Sequence, residues 1–118
     1  MVFNFHGYGS NAEQQMNYSN MIEVADEEGF LVIHPQGTPL PLTGSPHFCV
    51  GGWTRSCDVD DVSYTNYLIN VISSLYNIDM LRIYSTGMSN GGFMSYHLAC
   101  NLSNRIAAIA SVTGSMTP

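Results

Sequence analysis

The spacing of apolar positions changes several times along the chain. Val2, Phe3 and Phe5 form a short β-type run that ends at His6. From there to about Glu28, Met16, Met21, Ile22 and Ala25 recur at roughly helical intervals, and Gly29 is a good helix stop. Ser10-Asn11-Ala12-Glu13 has the form of a capping box, with Ser10 as cap and Glu13 reaching back. Phe30 to His34 is a continuous apolar run of strand length, the pattern of a parallel strand covered on both faces, and Pro35 ends it. Residues 35–59 are rich in Gly, Pro, Thr and Ser and predict a long loop. Val62, Thr65, Ile69, Ile72 and Tyr76 then predict a helix, with Asp60 or Asp61 available as its cap. Leu81–Ser85 reads as a third strand, Asn90 to about Leu102 as a helix, and Ile106–Val112 as a fourth strand.

This alternation predicts an α/β fold of three layers, α/β/α, around a short parallel sheet with right-handed crossovers. Residues 1–118 are read as a single domain. In such sheets, sites lie beyond the carboxyl ends of the strands. The turn His6-Gly7-Tyr8-Gly9, the 35–59 loop and the turn at Ser89 are all expected at that edge.

Composition narrows the partners. Charged residues are 10% of the chain, apolar residues 45%, and there is no lysine. So sparse a charged surface predicts that part of it is covered, and self-association into a homo-oligomer is expected. A formal net charge of −6 argues against nucleic acid or an anionic membrane as partner. No run approaches the length of a transmembrane helix, and no signal segment is visible. Cys49 and Cys57 flank Gly51-Gly52-Trp53 and can close a short disulfide, while Cys100 is expected to be a small buried group on a helix face. Two cysteines without a clustered His or Cys partner make a poor zinc site, so metal is discounted, and no cofactor is expected.

The chemistry concentrates at Gly87-Met88-Ser89-Asn90-Gly91. A strand-type run enters this G-x-S-x-G pentad and a helix-type run leaves it, the context of a nucleophile elbow. Gly92 adds a third small residue. A phosphate-cradling loop is the alternative, but neither a G-x-x-x-x-G-K-[ST] nor a G-x-G-x-x-G pattern is present. Acyl transfer also needs two preorganised N–H donors for the oxyanion. Asn90 would supply one from its backbone, and Tyr8, in the turn after the first strand, the other.

Several ordered runs carry a family resemblance: Phe5-His6-Gly7-Tyr8-Gly9, Ile33-His34-Pro35-Gln36-Gly37, Gly52-Trp53, Asp58-Val59-Asp60-Asp61-Val62, Thr86 to Gly92 and Arg105 to Ala110. Together they resemble the polyhydroxybutyrate depolymerase and feruloyl esterase branch of the α/β-hydrolases, mostly secreted carboxylesterases. The resemblance implies Ser89 as nucleophile, an oxyanion loop after His6, and a substrate pocket touched by His6 and Trp53. It also implies small-molecule esters, short-chain or aryl, as substrates. Members of that branch carry their acid and base further downstream, so the expectation is the middle of an α/β-hydrolase core, an incomplete one. His6, His34 and His47, or a residue of another chain, remain open as general base. His97, about two turns along the elbow helix, is expected to be a surface or packing residue. A non-catalytic fragment that folds by self-association is the competing expectation.

Overall fold

The computed structural model describes residues 1–54 and 57–116, with Trp53 described by its backbone alone. Four parallel strands form the sheet in the order β2-β1-β5-β6: β1 is Val2–Phe5, β2 Val32–Ile33, β5 Tyr84–Met88 and β6 Ala108–Val112. Helices α1 (Ala12–Ser19) and α2 (Met21–Glu28) connect β1 to β2, and α3 (Asp61–Leu75) and α4 (Asn90–Asn101) precede and follow β5. Between β2 and α3 lie a two-stranded antiparallel ribbon, β3 (Thr38–Pro39) with β4 (Pro46–His47), and a single 3₁₀ turn at Gly52–Thr54. The expected three-layer α/β/α arrangement is what the chain adopts.

Alternation along β1 assigns the two faces of the sheet. Phe3 and Phe5 point into the main core with Phe48, Val50, Ile69, Ile83, Met94 and Leu98, all fully buried. The Phe5 ring meets Phe48 edge-on with centroids 5.0 Å apart. Burying each such aromatic is worth about 1.5–3 kcal/mol. Asn4 points the other way, toward α1, and is also buried. Its side chain donates to Ser19 Oγ at 2.9 Å and accepts from Gln15 Nε2 at 2.9 Å. The layer under α1 is thus held by a buried amide network rather than by the methionine stripe the spacing suggested.

Other boundaries move for local reasons. The long first helix is two helices, because Asn20 takes a left-handed conformation (φ 50) between them. Asn11 caps α1, its side chain accepting from Gln14 N at 2.9 Å, whereas Ser10 Oγ donates to Gln14 Oε1. The strand expected from Leu81 begins at Tyr84. Asp79 holds Leu81 and Arg82 in a turn, accepting from both backbone N–H groups. Asp60 caps α3, as one of the two expected candidates, by accepting from Ser63 N at 2.9 Å. Cys49 and Cys57 are joined as a disulfide. Cys100, expected to be buried, is exposed on α4.

Candidate active site

β5 runs directly into α4 through one residue, Ser89, at φ 53 and ψ −114. A residue with a Cβ resists that region of backbone space, which costs on the order of 1–3 kcal/mol. β6 and its own helix hold it there: Ser89 N donates to Val112 O at 2.8 Å, and Phe93 N of α4 donates to Ser89 O at 2.9 Å. The hydroxyl makes no capping bond to its own helix.

The elbow glycines are required by close approach rather than by positive φ. A Cβ on Gly91 would lie 2.1 Å from the Phe5 carbonyl oxygen, and one on Gly87 would lie 2.6 Å from Gly91 backbone. A Cβ on Gly92 would lie 2.6 Å from Ser111 Oγ. The first turn of α4 therefore sits against the backbones of β1 and β6, and its N-terminus, the positive end of the helix dipole, is delivered at Ser89.

The turn after β1 comes up beside the elbow. A Cβ on Gly7 would lie 3.7 Å from Ser89 Cβ. Gly9 N donates to Pro46 O at 2.8 Å, tying the turn to β4. Tyr8 is half exposed, its ring 6.0 Å from that of His47. Ser89, Gly7, Tyr8, Gln14, Gln15 and Tyr18 line a cleft of about 400 Å³. A larger cavity of about 640 Å³ lies at the opposite end of the sheet, around Met1, Gly29 and Arg82, and contains none of the candidate residues.

His6 lies beneath this cleft, fully buried, and is not part of its lining. Its Nε2 accepts from Gly37 N at 2.9 Å, so Nδ1 carries the proton and donates to Gly7 O at 2.7 Å. Burial lowers its pKa, which keeps it neutral. Both ring nitrogens are occupied in shaping the turn. His34 is half-buried, with Nε2 3.3 Å from Asn4 Nδ2, and burial lowers its pKa as well. His47 is buried, with Nδ1 3.0 Å from Thr38 O. His97 sits on α4 beside Asn101. Among the described residues, no imidazole is hydrogen-bonded to the Ser89 hydroxyl. The Trp53 side chain lies outside the described residues.

One functional arrangement escaped the sequence. The Asn90 side chain is fully buried and grips the long loop: Phe48 N donates to its Oδ1 at 2.7 Å, and its Nδ2 donates to Phe48 O at 3.1 Å. Phe48 in turn packs on Phe5 and on His6, centroids 5.0 and 4.6 Å apart. Next along the loop, Cys49 N donates to Asp61 Oδ2 at 2.6 Å. Burial raises the Asp61 pKa despite that bond. A polar residue directly after the elbow serine is the one signal the sequence offered, and nothing there named its partner 42 positions away.

No known family model matches the chain. It is 30% identical over 114 residues to the bifunctional acetylxylan esterase/xylanase XynS20E of Neocallimastix patriciarum, covering 97% of this chain and 16% of that protein. It is 33% identical over 110 residues to feruloyl esterase B of Piromyces equi, covering 93% of this chain and 20% of the relative. Feruloyl esterase D of Neurospora crassa is 30% identical over 121 residues, with 97% of this chain and 39% of the relative covered. The chain thus spans well under half the length of these curated relatives. Among solved structures, that of YahD with malic acid superposes with a TM-score of 0.61 at 16% identity, over 98% of this chain and 58% of YahD. The likeness to feruloyl esterases expected from the motif order is present among the curated relatives, and the fold is a three-layer α/β/α arrangement like that of YahD.

Proposed function

We propose that this chain carries the nucleophile and oxyanion half of a serine carboxylesterase site acting on short-chain or aryl esters. The observation that carries the reading is Ser89 itself, held at φ 53 between a strand and a helix, facing a cleft beside the Tyr8 turn. Ser89 Oγ attacks the ester carbonyl and the alcohol leaves, giving an acyl-enzyme that water hydrolyses. The oxyanion accepts from Asn90 N and Tyr8 N. As the first residue of α4, Asn90 has no helical carbonyl for its N–H, which leaves that donor for an oxyanion. Each donor of this kind is worth roughly 3 kcal/mol. His6 is engaged through both nitrogens, so the proton acceptor is His34 or His47 after rearrangement, or a residue of another chain. The names of the curated relatives favour an ester of a small acid or an aromatic acid as substrate. The 118 residues act as one domain and associate through the exposed β6 strand, where Ala108, Ala110 and Val112 face solvent.

The experiment is covalent. A fluorophosphonate is expected to add one equivalent of mass to the wild-type chain and none to Ser89→Ala. Hydrolysis of a short aryl ester is expected to fall to the level of Ser89→Ala once labelled. Absence of labelling, together with equal hydrolysis by the two proteins, would overturn the reading. A second reading, a non-catalytic fragment, has one observation in its favour: among the described residues, no imidazole is hydrogen-bonded to Ser89. Even so, an oxyanion hole and binding alone can leave on the order of 10³–10⁴-fold over water, so the assay separates the two.

A further inference from the structure

Beside the long loop's covalent tie stands His47. Cys49 and Cys57 are disulfide-bonded, and His47 Nε2 lies 3.9 Å from Cys49 Sγ. Among the described residues, His47, Cys49 and Cys57 form a cluster whose donor atoms all lie within 4.8 Å of one another. Metal binding was discounted for want of an imidazole near the two cysteines. His47 ends β4 and brings its Nε2 to 3.9 Å from Cys49 Sγ.

The ring is already set as a ligand. Thr38 pairs with His47 across the β3–β4 ribbon. His47 Nδ1 donates to the Thr38 carbonyl at 3.0 Å. The proton is therefore on Nδ1, and the Nε2 lone pair is aimed at the sulfur. A backbone carbonyl fixing one ring nitrogen so that the other can ligate is the usual outer-shell arrangement at metal-bound histidines. Access exists as well. A cleft of about 420 Å³ opens onto both cysteines, with Asp60 and Asp61 on its wall, and Cys57 is only half-buried. Those carboxylates favour the approach of a cation.

We propose that, once the disulfide is reduced, Cys49 Sγ, Cys57 Sγ and His47 Nε2 bind a single soft d¹⁰ cation such as Zn²⁺ through two thiolates and one imidazole. Two sulfurs and one nitrogen suit this class of ion better than a hard cation. The reductant is a dithiol or phosphine: it supplies two electrons and is itself oxidised, the S–S bond breaks, and each sulfur gains a proton. Metal binding then forms two metal–sulfur bonds and releases those two protons to solvent. Disulfide and metal exclude each other, so the loop has two alternative ties at one place. The proposal is independent of whether Ser89 is catalytic.

The test uses Cys100→Ser, which removes the exposed third thiol. The protein is reduced with a phosphine, freed of reductant under nitrogen and titrated with Cd²⁺ and Zn²⁺, following thiolate-to-cadmium absorption and native mass. One equivalent is expected to bind the reduced protein and none the oxidised protein. His47→Gln should weaken binding at least as much as the roughly 10–100-fold that loss of an outer-shell partner costs. Cys57→Ser in the same background should weaken it further. No saturable binding to the reduced protein, or equal affinity in His47→Gln, overturns the proposal. Far-UV circular dichroism is recorded alongside. If reduction alone unfolds the chain, one equivalent of Zn²⁺ is expected to restore the spectrum, and failure to do so equally overturns it.

Discussion

Replacing Asn90 by alanine tests how the elbow is fastened to the rest of the molecule. The side chain makes two hydrogen bonds to one residue, accepting from Phe48 N at 2.7 Å and donating to Phe48 O at 3.1 Å. Both residues are fully buried, so both Phe48 backbone groups lose their partner out of reach of bulk water. A buried group left unsatisfied costs about 1–3 kcal/mol, which gives an expected loss of about 2–6 kcal/mol for the two groups in Asn90→Ala. The lower end applies if a water enters the space the carboxamide vacates. The measurement is urea unfolding followed by far-UV circular dichroism, comparing midpoints at unchanged slope. Asn90→Asp is the companion variant. It keeps the acceptor for Phe48 N but loses the donor and sets a buried carboxylate against Phe48 O, so it is expected to be no better than alanine. A loss below about 0.5 kcal/mol in Asn90→Ala, the range of an ordinary surface change, would refute the idea that this amide anchors the loop.

Three further outcomes follow from the same geometry. Ser89→Gly is expected to raise stability by about 1 kcal/mol, because it relieves backbone strain at φ 53 and forfeits no capping bond; unfolding midpoints at or below wild type would count against strain there. Gly91→Ala puts a methyl 2.1 Å from the Phe5 carbonyl oxygen and is expected to cost more than about 3 kcal/mol, read as a lowered urea midpoint or loss of soluble protein; a near-neutral change would mean that α4 can lift off the sheet at little cost. Burial raises the Asp61 pKa, so its contribution is fully present below the ordinary aspartate value of about 3.9 and is lost as pH rises through the raised value; the stability of Asp61→Asn minus that of wild type should therefore increase as pH rises from about 3.5 toward 7, and a difference that stays flat or falls over that range would contradict the assignment.

The elements were legible because their periods differ. The strand pattern of Phe3 and Phe5 and the helical spacing of Ile69 and Ile72 each report one buried face, and both faces are where the spacing put them. Boundaries were less legible because single polar side chains decide them. Asp79 captures Leu81 and Arg82 in a turn and delays β5, and Asn20 breaks a helix that apolar spacing alone would continue. The methionine stripe misled for a related reason. Asn4 faces α1 from the central strand, so the residue that packs there is Gln15, chosen by hydrogen bonding rather than by hydrophobicity. Cys100 followed helical spacing but faces outward, because α4 buries Met94 and Leu98 on its sheet side instead.

The elbow was the most legible part of the site because backbone contact enforces it. At Gly87, Gly91 and Gly92 a side chain would collide with neighbouring backbone or with Ser111, so the pentad records a packing requirement in residue type. The Asn90–Phe48 clasp and the approach of His47 to Cys49 left no such record. Asparagine fits many environments, and only the path of residues 35–59 determines what it meets. This contrast bears on function. The strained serine is held by β1, β5 and β6, three adjacent strands of one sheet, and by a helix whose first turn lies close against their backbones. Phe3, Phe5, Met94 and Leu98 supply burial energy to that same unit. On the proposed reading, a nucleophile and backbone donors built this way would keep their geometry wherever the proton acceptor comes from. Chemistry at Ser89 would then depend on bringing one imidazole to a preformed site rather than on assembling the site around it.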